Sequence, residues 1–163
     1  MDAIDPKKLL AEYENAASRM DAILTEDLSL AQVAGMPDRD MEAIFTSGQN
    51  ALQLEDYGKA EQIFGAMLYL NHKDTRAALG LAGALEGQRR YESAVPFYFM
   101  VLATTLFDPV APFRAGVCLM NLGKKEDALD HFKLAAACKN ENREAAKQIY
   151  IEKAEGFINL LSA

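Results

Sequence analysis

Tyr57-Gly58-Lys59-Ala60-Glu61-Gln62-Ile63-Phe64 is the stretch whose reading decides the fold. Ala60 stands one helical turn before an aromatic, and the pair returns at a 34-residue interval as Ala94/Tyr98 and Ala128/Phe132. Twelve residues ahead of each alanine lies a further small residue: Gly48, Ala82 and Gly116. Small residues at fixed offsets let two helices approach closely, and the aromatic fills the space beside the contact. Three copies in register predict an all-α stack of helical hairpins, each burying its apolar face on the next. A stack of this kind curves, and the usual role of its inner curve is to hold another chain.

Working outward, the three repeats run over 41–74, 75–108 and 109–142. The first predicts helices from about Pro37 to Leu54 and from Gly58 to Leu70, with Glu55-Asp56 between them. Gly87-Gln88-Arg89-Arg90 and Asn121-Leu122-Gly123-Lys124 supply the next two turns, with Gly123 at the left-handed position. Asp108-Pro109 and Ala111-Pro112 mark the start of the third repeat, because proline is tolerated in a first helical turn and not deeper. Residues 1–40 form a helical front segment outside the repeat: Asp5-Pro6 reads as a helix start, and Ser29 as the cap of a short helix ended by Gly35. Residues 143–163 read as one more helix, capping the face that the last repeat leaves open.

At 163 residues, half of them apolar, the chain has room for one continuous core. A net charge of -7 supplies no basic stripe for nucleic acid and disfavours anionic membrane surfaces. No run of about 20 apolar residues stands ready to span a bilayer. Two cysteines, Cys118 and Cys138, fit neither a metal pair nor a disulfide framework, and read as reduced thiols of a cytoplasmic protein. Catalysis is not expected. His72 and His131 are far apart, with His131 read as a solvated surface residue, and no nucleophile set, phosphate-binding loop or metal-ligand spacing accompanies them. No cofactor and no metal is therefore expected.

The helix faces point to a groove. On the first helix of each repeat, the stripe beside the packing face reads Glu42, Phe45, Gln49, Leu52, then Arg76, Leu79, Gly83, Glu86, then Val110, Phe113, Val117, Met120. Phe45, Leu79 and Phe113 share one slot and predict an apolar ladder across three neighbouring helices. At about 10 Å per helix the ladder spans about 20 Å, which some six residues of extended peptide cover. Gly83 leaves a recess at its middle. The candidate groove is thus Phe45, Gln49, Leu52, Leu79, Gly83, Glu86, Phe113, Val117 and Met120; the alternative is that Phe45 and Phe113 complete the core or a dimer contact. The packing set is Gly48, Ala60, Phe64, Ala82, Ala94, Tyr98, Gly116, Ala128 and Phe132. In the front segment Leu9, Tyr13, Met20 and Ile23 form a stripe that either docks on the domain or pairs two copies as a homodimer.

The spacings resemble the tetratricopeptide repeat, with Ile44, Ala78 and Pro112 in place of its early Trp and His72, Leu106 and Asn140 in place of its closing Pro. The chain as a whole resembles the class II chaperones of bacterial type III secretion. The likeness lies in Leu30-Ala31-Gln32-Val33-Ala34-Gly35-Met36-Pro37, in Met41-Glu42-Ala43-Ile44-Phe45, and in the Tyr57–Phe64 stretch followed by Leu68-Tyr69-Leu70-Asn71-His72. It continues through Leu79-Gly80-Leu81-Ala82 and the run from Asp108-Pro109 through Pro112-Phe113, Ala115-Gly116 and Cys118-Leu119 to Gly123. The resemblance implies three such hairpins in a right-handed superhelix, in the cytoplasm of a Gram-negative bacterium. It implies a chaperone that masks hydrophobic secreted translocators by gripping a short extended segment of the form Pro-x-Leu-x-x-Pro in the concave groove. A general scaffold, or a regulator of secretion-gene expression, is the alternative.

Overall fold

Backbone chemistry at the helix ends sets the architecture. The computed structural model describes residues 27–105, 108–138 and 144–162, together with 11, 14–19, 21 and 23, of which 14–19 are helical. The helices after residue 27 are α1 (Leu30–Val33), α2 (Asp38–Gln53), α3 (Tyr57–Leu70), α4 (Thr75–Gly87), α5 (Tyr91–Thr104), α6 (Val110–Asn121), α7 (Lys125–Ala137) and α8 (Ala145–Ser162). No strand occurs among the described residues.

Capping side chains start the helices. Ser29 and Gln32 form a reciprocal capping box on α1, with the Ser29 amide donating to the Gln32 side chain at 2.8 Å. Asp56 accepts from the Lys59 amide at the start of α3, and Asp74 from those of Arg76 and Ala77 at the start of α4. Each such cap stabilises its helix by about 1 kcal/mol.

The first helix of each hairpin ends in one repeated device. The amides of Asp56, Arg90 and Lys124 reach back five residues, to the carbonyls of Ala51, Leu85 and Leu119. Between them Glu55, Arg89 and Gly123 are left-handed, with φ of 57°, 60° and 76°. These are three Schellman stops, 34 residues apart, and only the third uses the residue type suited to that conformation. Pro96 departs from the expectation that proline stays in a first turn, being the sixth residue of α5. The bond it cannot make would have gone to Glu92, an exposed residue whose carbonyl water can reach.

From α2 onward each helix packs on its sequence neighbours, giving hairpins α2/α3, α4/α5 and α6/α7, with α2 also touching α4 and the short α1 lying against α3. The nine expected packing residues are all buried. The reason is steric: a Cβ placed on Gly48 would lie 2.7 Å from the Phe64 ring, and one on Gly116 would lie 2.7 Å from Phe132. One core runs from α1 through α5 into α6. A second joins α6 and α7 to α8, where Phe132 stacks on Phe157 at 4.7 Å. Helix α8 thereby covers the apolar face that would otherwise end the stack in water.

Candidate functional site

The stripe beside the packing face of α2, α4 and α6 borders two clefts that meet. The first, of about 300 Å³, is lined by Phe45, Gln49, Leu52, Arg76, Leu79, Gly83, Val110 and Arg114, with Phe64, Gly80 and Tyr98 also on its wall. The second, of about 390 Å³, is lined by Leu52, Tyr57, Gly83, Glu86, Gly87, Tyr91, Arg114, Val117 and Asn121. Leu52, Gly83 and Arg114 belong to both, so the two form one trough. Nothing stands within 4 Å of where a Gly83 Cβ would be, which leaves the recess at the junction open.

The two ends of the trough differ in chemistry. At the α2 end Phe45 packs edge-on to Phe64, ring centres 6.0 Å apart, and the Arg76 guanidinium lies 4.7 Å above the Phe45 ring. Arg76 also donates to Glu42 at 2.8 Å and to both oxygens of Asp74. Those carboxylates hold its pKa above the ordinary arginine value. Beyond the junction, Glu86 is mostly buried and is met by Arg114 at 2.9 Å. The Tyr98 hydroxyl donates to the other oxygen of Glu86. Burial, with Glu86 next in effect, keeps that hydroxyl protonated far above the usual tyrosine range. For Arg114 burial works against the charge, but Glu86 outweighs it and the guanidinium stays charged. A buried carboxylate with two donors is satisfied, so this polar floor is stable inside an apolar trough.

Seven of the nine groove residues expected from sequence line the trough: Phe45, Gln49, Leu52, Leu79, Gly83, Glu86 and Val117. Phe113 does not. It is 7% exposed and surrounded by Phe132, Tyr150 and Phe157. Met120 packs on the same cluster. The physical reason is α8, which fills the third station of the ladder. Arg114, Tyr57, Tyr91 and Asn121 line the trough without having been assigned to it. Arg114 carried a signal, being the lone charge inside the apolar run Val110–Met120.

Of the front stripe, Leu9, Tyr13 and Met20 lie outside the described residues. Ile23 borders a cleft of about 410 Å³ with Ala16, Arg19, Leu30, Val33, Ala34, Tyr69 and Leu70. His131 is half-buried and stacked on Phe99 of the neighbouring α5 at 4.9 Å, so it is not the solvated residue expected. Both cysteines are free, and no trio of metal-ligating side chains gathers among the described residues. No helix there is long and apolar enough to cross a membrane.

No family model matches the chain. Low calcium response locus protein H of Yersinia pestis is 26% identical over 117 residues, covering 72% of this chain and 68% of that protein. PcrH from Pseudomonas aeruginosa has a crystal structure with a TM-score of 0.72 and 26% identity, covering 78% of this chain and 96% of the other. A type III secretion complex from Aeromonas hydrophila contains a chain with a TM-score of 0.81 at 24% identity, covering 88% and 94%. In sequence and fold the chain is thus similar to type III secretion translocator chaperones. SycD of Yersinia enterocolitica, a protein of that description, shares the fold with a TM-score of 0.71. PcrH has been crystallised with the chaperone-binding regions of PopD and of PopB.

Proposed function

We propose that the protein is a cytoplasmic chaperone that masks a hydrophobic translocator before its export, holding an extended segment of it in the trough. The observation that carries this reading is the trough itself. It is continuous over three helices, apolar at Phe45, Leu52, Leu79 and Val117, and open at Gly83. A leucine or proline side chain entering that recess leaves water while the guest main chain stays extended along the helices. The polar rim of Gln49 and Asn121 offers partners for guest backbone groups. The complexes of PcrH with PopD and PopB segments support the same reading.

On this reading the repeats at 41–74, 75–108 and 109–142 carry the guest, residues 143–163 cap the stack, and residues 1–40 dock on it or pair two copies. Co-expression tests it. A translocator encoded beside this chain, insoluble when made alone, becomes soluble as a stoichiometric complex. A translocator that stays insoluble, or a partner already soluble alone, favours a scaffold instead.

A further inference from the structure

We propose that Arg114 reads the main chain of the guest, donating from its guanidinium to a guest carbonyl at the junction of the two clefts. This deepens the chaperone reading and rests on it. Three observations point to Arg114. It borders both clefts, so any chain that runs the length of the trough passes it. Its side chain is 41% exposed although its partner Glu86 is only 14% exposed, so its unused donors are accessible from the trough. And its orientation is fixed by Glu86 of α4, which accepts one N–H at 2.9 Å. A guanidinium carries five N–H donors, so several are left for a ligand.

The other arginine of the trough is placed differently. Arg76 spends its fork on Asp74, adds Glu42, and lies over the Phe45 ring, so it acts as a wall. Its surroundings carry two carboxylates against one cation, whereas Arg114 and Glu86 balance one to one. A neutral acceptor such as a peptide carbonyl fits beside a balanced pair. It also suits a chaperone, because main-chain recognition does not depend on the guest's side chains. Leucine and proline would fill the apolar recess while Arg114 fixes the register.

The test uses the whole chain and a labelled, end-blocked peptide containing Pro-Ala-Leu-Ala-Ala-Pro, read by fluorescence polarisation. A set of analogues carries an ester in place of one amide at a time, which weakens the carbonyl of that link as an acceptor. Arg114→Lys keeps a positive partner for Glu86 but loses the planar fork. The expected result is binding about tenfold weaker in Arg114→Lys, the loss of one charge-assisted hydrogen bond. In addition, one ester position costs the wild type several-fold and costs the variant nothing. A purely structural role would weaken all analogues alike and leave that ester penalty in place. Equal ester penalties in both proteins, or full affinity in Arg114→Lys, overturn the proposal while the groove stands. A wild-type protein that ignores the peptide overturns the groove reading as well.

Discussion

The ring of Phe64 lies so close to the backbone of Gly80 that a Cβ added there would stand 2.5 Å from the ring. The same ring closes on Gly48, so one side chain of α3 joins the first helix of its own hairpin to the first helix of the next. Gly80→Ala should therefore cost about 1–3 kcal/mol by overpacking, read as a lower denaturant midpoint. Unchanged stability would mean that the hairpins are not stacked at this separation.

Glu55 and Arg89 occupy left-handed stops where the third hairpin has Gly123. A side chain in that conformation costs roughly 1–2 kcal/mol, part of which glycine returns as added freedom of the unfolded chain. Both residues are exposed. Glu55→Gly and Arg89→Gly should each raise stability by about 0.5–1 kcal/mol, and Gly123→Ala should lower it. Chemical denaturation of the three variants checks the order; destabilisation by both glycine changes would contradict the shared stop.

Burial, helped by the carboxylate of Glu86, pushes the Cys118 thiol up to about 12. Cys138 is also raised, by burial and then by Asp108, but it is only half-buried at the end of α7. At pH 8 an alkylating reagent should modify Cys138 first and reach Cys118 only on unfolding. The folded chain holds the Cys118 proton where the unfolded chain releases it, so this contribution to stability is complete below about pH 9 and fades towards about pH 12. Cys118→Ala should flatten that part of the stability profile. Rapid native labelling of Cys118 would show that its helix is not packed as described.

The sequence carried the repeat because Ala60, Ala94 and Ala128 are all fully buried, and full burial between helices admits few side chains. Position along the repeat also placed Phe45 and Leu79 on the trough, since equivalent residues on parallel helices share a face. What periodicity could not supply was the end of the stack. Phe113 has the same register as Phe45, yet α8 lies against it, whereas Phe45 lines the cleft beneath Arg76. Repeat spacing treats every hairpin alike, whereas a finite stack has one hairpin whose neighbour is a capping helix. Arg114 was hidden for a related reason. Its importance comes from Glu86, which lies on another helix and in no periodic relation to it.

That asymmetry makes Phe45 and Phe113 a matched pair for one experiment. Phe45 is half-buried on the trough, with its face towards Arg76 and its ring edge-on to Phe64 at the margin of the core. Phe45→Glu keeps the helix, adds a carboxylate beside Arg76, and should abolish peptide binding while the melting temperature stays near that of the wild type. Phe113 is enclosed by three aromatic rings from α7 and α8. Phe113→Ala should cost about 3–5 kcal/mol, and Phe113→Glu should prevent α8 from docking, because it would bury a carboxylate among three aromatic rings. Circular dichroism melting, run beside peptide binding, separates the two. If Phe113→Glu melts like the wild type and only loses the guest, α8 does not cap the stack and the trough extends one hairpin further.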